Sequence, residues 1–133
     1  MDIAGKVVVV TGASAGIGAA TPPGWLPHAG ARTVLAARRL DRIEALAAEL
    51  GDSIAVRTDM HDPAQVELLV QRAVDEFGGV DVLVNNAGQG LHVPLAEVAL
   101  ADFAAITERT CTRHWSRCRP CCRRCGHAVA AAS

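Results

Sequence analysis

The sequence predicts an α/β protein, a doubly wound parallel sheet cut short at about four strands, followed by an irregular tail rich in arginine and cysteine. Three observations carry that expectation. The apolar run Val7-Val8-Val9-Val10 leads directly into a glycine turn, Thr11-Gly12-Ala13-Ser14-Ala15-Gly16-Ile17-Gly18. Short apolar runs then alternate with segments of helical periodicity, the pattern of strands joined by crossover helices. A further apolar run, Asp81-Val82-Leu83-Val84, closes on two amides and a glycine, Asn85-Asn86-Ala87-Gly88.

Strands are expected at 6–11, 32–37, 54–58 and 80–85. Each is nearly continuous in apolar residues rather than alternating, as parallel strands covered on both faces require. The first helix opens at Gly16 and by its pattern should reach about Ala29. Pro22, Pro23, Gly24 and Pro27 fall inside it, and an interior proline costs roughly 3 kcal/mol through a lost hydrogen bond and a steric clash. A continuous helix is therefore not expected there. A locally shifted reading frame explains the run, and a kinked helix or loop is the alternative. Residues 40–50 form the next helix, with Ile43, Leu46, Ala47 and Leu50 on one stripe and Gly51 suited to a left-handed stop. Asp62 caps a third helix that carries Pro63 in its first turn, lines Val66, Leu69, Val70, Ala73 and Phe77 on one face, and ends at Gly78-Gly79. Right-handed crossovers complete the sheet.

A strand ending in closely spaced glycines lets the backbone approach a pyrophosphate and aims the N–H groups of the next helix at it. With the Asn-Asn-Ala-Gly segment, this resembles the short-chain dehydrogenase/reductase family, whose signatures are a TGxxxGxG turn and an NNAG motif. The resemblance runs from about residue 6 to about 108. It implies a Rossmann-like, NAD(P)-binding segment over residues 1–108. In the resemblance Gly12, Gly16 and Gly18 shape the turn, Ser14 sits near the phosphates, and Ile17 counts among the cofactor-binding residues. Asp59 matches the position that meets the adenine amino group, and Asn86, Ala87 and Gly88 line the cofactor floor. Asn85 and Asn86 also read as an amide pair tying neighbouring strands together.

Arg38 and Arg39 follow the second strand, where an NAD-selective protein would carry an acid for the ribose 2′-hydroxyl. A guanidinium there pairs instead with a 2′-phosphate, which favours NADP over NAD. The alternative is a solvated helix start neutralised by Asp41 and Glu44. The family's reductases use a tyrosine as proton donor, a lysine four residues later, an orienting serine and an asparagine. This chain has no tyrosine, its one lysine is Lys6, and neither Arg109 nor Thr110 supplies the asparagine. No catalytic residue can be assigned, so a binding site transfers and a reaction does not.

The formal net charge of −1 hides a division. Residues 1–108 hold seven basic and fourteen acidic groups, whereas 109–133 hold six arginines and no acid. All five cysteines, Cys111, Cys118, Cys121, Cys122 and Cys125, lie in that second segment with His114 and His127. Take TGY for cysteine, CGN for arginine and TCN for Ser116, and join each third base to the next two. From Arg109-Thr110 the permitted translation becomes Asn, Val/Leu/Met, Tyr, Ala, Ala, Leu, Val, Ala, an aliphatic, Pro, Ala, an aliphatic, Leu, Pro. That is an apolar helix led by asparagine, so residues from about 108 read as an out-of-frame translation of a GC-rich gene. Zinc is the competing reading of the cysteine pairs, but the pairs abut without the usual spacer of about twelve residues. Nucleic acid is another reading, weakened by the lack of interleaved aromatics beyond Trp115.

No stretch is long and apolar enough for a bilayer, and Met1-Asp2-Ile3 begins no secretory pattern, so a cytoplasmic protein without disulfides is expected. His61 and His92 read as solvated or packed, and Met60 and Phe103 as core. The expectation is the cofactor-binding half of an NADP-dependent oxidoreductase, acting on an unreadable small-molecule substrate, inactive by itself and prone to self-association. A non-catalytic dinucleotide-binding module is the alternative.

Overall fold

A computed structural model describes residues 3–26, 28–88 and 101. Seven elements follow in order: β1 (Val7–Thr11), α1 (Gly16–Trp25), β2 (Arg32–Ala37), α2 (Leu40–Leu50), β3 (Ser53–Arg57), α3 (Pro63–Phe77) and β4 (Val82–Val84). All strand pairs are parallel, in the order β3-β2-β1-β4. Val34 on β2 lies between Val9 on β1 and Ile54 on β3, while Val9 pairs on its other side with Leu83 on β4. The chain steps outward from β1 to β3 and then jumps back past β2 and β1 to place β4. With crossovers of one hand, that reversal puts the last helix on the opposite face of the sheet.

The two faces bury different residues. Val8, Val10, Leu35 and Ala37 pack with Leu26, with Ile43 and Ala47 of α2, and with the half-buried Val82 and Val84. On the other face Val7, Val9, Val34, Ala36 and Val56 pack with Leu69 and Ala73 of α3 and with Leu83. Successive side chains of β1 and β2 thus enter opposite cores, which is why these strands read as unbroken apolar runs.

β2 and α2 fall where the sequence places them. The other strands shift or shorten by a residue or more: β1 starts at Val7, β3 spans Ser53–Arg57, and β4 keeps only Val82–Val84. At its start the Asp81 carboxylate accepts the Val7 N–H at 2.9 Å, a side chain serving where backbone would otherwise pair. Gly51 follows α2 with φ 84° and ψ −101°, a positive φ but not the left-handed helical stop expected. α3 matches expectation: Asp62 Oδ1 accepts the Ala64 N–H at 3.0 Å, and the Gly78 N–H reaches the Val74 carbonyl at 2.8 Å.

α1 corrects the sequence reading. Its helix passes through Pro22, Pro23 and Gly24 to Trp25, four residues short of Ala29. Proline's fixed φ is itself helical, so the penalty lies in the absent N–H groups and the ring's crowding of the preceding turn. Two things offset it. Pro22 and Leu26 are fully buried, and the Leu26 N–H bonds the Pro22 carbonyl at 3.3 Å while the Thr21 hydroxyl bonds that of Ile17 at 2.7 Å. Packing here outweighs local propensity. The tail at 109–133, with its cysteine pairs and histidines, lies outside the described residues, as do Pro27, His92 and Phe103.

Candidate functional site

The site lies at the carboxyl ends of β1 and β4, where the direction of strand order reverses. Open α/β sheets bind ligands at such a crevice. Thr11 ends β1 fully buried, and its hydroxyl is the hub of the junction. Oγ1 accepts the backbone N–H groups of Asn86 at 3.1 Å and Ala87 at 3.0 Å. Its one proton faces the Val84 carbonyl at 3.4 Å and Asn85 Oδ1 at 3.2 Å. Asn86 Nδ2 answers by donating to the carbonyls of Thr11 at 3.3 Å and Gly12 at 3.5 Å. The two asparagines do tie the strands together.

That closure dictates the glycines. A Cβ on Gly12, whose φ is +68°, would lie 2.9 Å from Ala87 Cα. A Cβ on Gly18 would collide with Asn86 Nδ2 and the Gly12 carbonyl. These two glycines let the turn seat against the exit of β4, while space beyond Gly16 is open. α1 begins after Ala15 without a side-chain cap bond and without an acid in its first turn. Its leading N–H groups and positive dipole end suit an anion. Beside them Ile17 stands 78% exposed, unusual for so large an apolar side chain next to a cleft.

The turn also reaches β2. The Ala13 N–H donates to the Ala36 carbonyl at 3.2 Å, bringing Ser14 beside the residues that leave β2. Arg39 Nε and Nη2 both donate to Ser14 Oγ, at 3.3 and 3.2 Å. Arg38 is exposed next to it. Arg39 is also the N-cap of α2 and makes no side-chain cap bond there. The structure thus places Gly12, Ser14, Gly16, Ile17, Gly18, Arg39, Asn86 and Ala87 together at the carboxyl ends of β1, β2 and β4, with exposed Gly88 continuing from them.

Asp59 stands apart in its bonding. It follows β3, and its Oδ1 accepts the His61 N–H at 2.9 Å while its own N–H donates to Gln65 Oε1 at 2.8 Å. It therefore shapes the turn into α3. Asp62 is held below its ordinary carboxyl pKa, first by the Gln65 side-chain amide and then by the Ala64 N–H. Thr11 is the residue whose importance the sequence reading missed: it was visible only as the first letter of the glycine turn. Lys6 sits at the amino ends of the strands, opposite the site, paired with Asp81 at 3.6 Å and about 16 Å of strand from Thr11. Among the described residues no three His, Cys, Asp or Glu side chains gather as a metal site.

The sequence profile described as short chain dehydrogenase matches residues 6–122, fourteen residues beyond 108 and into the arginine-rich segment. An uncharacterized oxidoreductase from Staphylococcus saprophyticus is 47% identical over 89 residues, 65% of this chain and 36% of that one. The L-sorbose reductase of Gluconobacter frateurii, solved with NADPH and L-sorbose, superposes with a TM-score of 0.75 at 34% identity, over 91% of this chain and 48% of the other. A 3-ketoacyl-(acyl-carrier-protein) reductase from Brucella melitensis, solved with NADH, gives 0.76 at 32% identity, over 90% and 50%. The chain therefore spans about a third of that curated relative and about half of these solved chains. With its parallel sheet, its glycine turn and its asparagine-tied strand ends, the chain belongs to the short-chain dehydrogenase family of oxidoreductases.

Proposed function

We propose that the chain is an NADP-binding segment of a short-chain dehydrogenase or reductase, and that it does not turn over substrate by itself. The observation that carries the cofactor choice is Arg39, held on Ser14 of the glycine turn by two hydrogen bonds. A cation in that position is suited to a 2′-phosphate and has no counterpart need on a 2′-hydroxyl. The fit rests on chain geometry: an uncapped helix start at Ala15, open space at Gly16 and a glycine turn seated directly against Asn86 and Ala87. In this reading Gly12, Gly16 and Gly18 admit the pyrophosphate, and Ser14, Arg38 and Arg39 hold the adenosine phosphate. Ile17 packs on the cofactor, Asp59 meets the adenine amino group, and Asn86, Ala87 and Gly88 form the floor. Bound NADPH supplies a hydride; the chain's residues bind and orient it.

Inactivity follows from the absence of any tyrosine and from Lys6 being the only lysine, at the amino ends of the strands, away from the site. Without a general acid, hydride transfer to a carbonyl has no positioned proton. We place the protein in the cytoplasm; no helix among the described residues is long and apolar enough to cross a membrane. Residues 109–133 are an out-of-frame translation in this proposal, and the half-buried β4 favours self-association.

Calorimetric titration of the full chain tests the cofactor reading. NADPH binds more tightly than NADH, by a margin that shrinks with salt, and Arg38→Asp with Arg39→Ala removes the margin. Equal affinities overturn the NADP reading, and NADPH oxidation by pure protein that Gly16→Trp abolishes overturns the inactivity.

A further inference from the structure

We infer that Gln65 is a positioning residue for adenine recognition: from the first turn of α3 its side-chain amide bridges the Asp59 N–H and the Asp62 carboxylate, and so holds the Asp59 carboxylate ready for the adenine amino group. The inference rests on the reading of Asp59 given above and names the residue through which that contact is held.

Asp59 is bonded at three of its polar groups within its own turn. Its N–H donates to Gln65 Oε1 at 2.8 Å, its carbonyl accepts the Asp62 N–H at 3.0 Å, and its Oδ1 accepts the His61 N–H at 2.9 Å. Oδ2 is left without a bonded partner among the described residues. A carboxylate oxygen accepts and cannot donate, so it suits an exocyclic amino group and not an oxygen in its place. The turn fixes one oxygen and presents the other.

Ordinary helix capping does not account for Gln65. In a capping box the third helical residue bonds the N–H of the cap residue. Here Asp62 is the cap and Gln65 the third residue, yet the Asp62 N–H is already taken by the Asp59 carbonyl. Gln65 reaches past it, to Asp59. Its amide has one workable orientation: reversed, it would set donor on donor at the Asp59 N–H and acceptor on acceptor at the Asp62 carboxylate. Nε2 donates to Asp62 Oδ2 at 2.8 Å, a charge-assisted bond that keeps Oε1 aimed at Asp59.

Packing supplies the fixed ends. Val66, Leu69 and Ala73 are buried along α3, and the last two pack on the sheet, so Gln65 starts from an anchored helix. On the other side of Asp59, the Thr58 N–H donates to the Ala37 carbonyl at the end of β2, at 2.9 Å. Asp59 is thus tied to β2 through one neighbour and to α3 through Gln65, beside the strand exit where the adenosine of a dinucleotide is read. A preorganised acceptor loses less on binding.

The test measures dissociation constants of the full chain for NADPH and for its hypoxanthine analogue, in which an oxygen replaces the adenine amino group. The unmodified chain prefers NADPH by about tenfold or more, the scale of a hydrogen bond to a charged group. Gln65→Met keeps the length of the side chain and loses both bonds. It weakens NADPH by about threefold to tenfold, the scale of ordering a side chain and its loop on binding, and leaves the analogue essentially unchanged. The paired exchange of Asp62→Asn with Gln65→Glu reverses the polarity of one bond: the new amide donates to the new carboxylate, whose other oxygen still accepts the Asp59 N–H. That pair restores the preference, whereas Gln65→Glu alone, which sets two carboxylates together, does not. Thermal melts accompany the titrations, because a merely structural loss would weaken both ligands together. Equal weakening of both ligands by Gln65→Met overturns the inference, as does an undiminished preference in that variant. Should that variant not fold, an equal preference in Gln65→Glu and in the paired exchange overturns it. Equal affinities of the unmodified chain for the two ligands overturn the Asp59 reading and this inference with it, and failure to bind either overturns the cofactor reading as well.

Discussion

Thr11 and Gly18 show how little of the crevice depends on charge. Two backbone N–H groups, of Asn86 and Ala87, end on the Thr11 hydroxyl, and Thr11→Val keeps the shape while removing the acceptor. The Asn86 N–H keeps the Val84 carbonyl at 3.1 Å, so the Ala87 N–H bears the loss; leaving one buried donor unsatisfied costs about 1–3 kcal/mol, and urea denaturation of Thr11→Val should show a loss of that order. Gly18→Ala acts by sterics instead. Its methyl would meet Asn86 Nδ2 and the Gly12 carbonyl; the amide could turn away only by giving up its bonds to the carbonyls of Thr11 and Gly12, and the carbonyl only by moving main chain. A loss of about 1–3 kcal/mol is expected from the overpacking, with dinucleotide binding lost in the same titration. Gly16→Ala differs from both, since its Cβ meets nothing and only its φ of +56° resists the change.

Among the elements, α1 and α3 are governed by opposite rules. α3 obeys its local signals: Asp62 accepts from Ala64 and from Gln65 Nε2, Pro63 opens the first turn, and Gly78 closes the last. Because those bonds favour the ionised carboxyl, the folded pKa of Asp62 lies below its unfolded value. Its contribution is fully present above the unfolded carboxyl pKa and is lost as pH falls through the folded one. Acid titration of stability should therefore lose part of its slope in Asp62→Asn. α1 disregards its local signals, running helical through two prolines because Pro22 and Leu26 are buried. Pro23→Ala supplies an amide proton toward the Ala19 carbonyl, and the thermal melt should show a gain of up to about 3 kcal/mol. A loss of stability in that variant would mean that the prolines are integral to the fold.

For the whole molecule, burial is uneven across the sheet. β1 and β2 are buried on both faces, whereas Val82, Leu83 and Val84 of β4 are only half-buried among the described residues. An apolar strand with incomplete cover is a site of edge pairing. The proposal of an out-of-frame tail makes a comparison possible: the gene expressed as written, with zinc added, and with the frame restored beyond Thr107. Restoration should convert a self-associating chain into a soluble one by size-exclusion chromatography, and zinc should not. A cooperatively melting monomer from the unmodified gene, stabilised by zinc and destabilised by a chelator, would reverse that account.

The sequence by itself determined the sheet, its parallel direction and the place of its glycine turn. Unbroken apolar runs such as 7–10 can be satisfied only by burial on two faces, and glycines spaced as Gly12, Gly16 and Gly18 have few other uses. α2 was legible to the residue because Ile43 and Ala47 repeat on one face, and α3 because Asp62 and Gly78 carry its caps in plain view. Tertiary structure decided what depends on residues distant in the chain. Thr11 became a hub only because β4, some 70 positions later, pairs beside β1. Arg39 met Ser14 only because the turn after β1 is bonded to the end of β2. The path of α1 through its prolines belongs here too: local propensity is a matter of a few neighbours, and the burial of Leu26 that overrides it comes from strands and helices the local pattern does not contain.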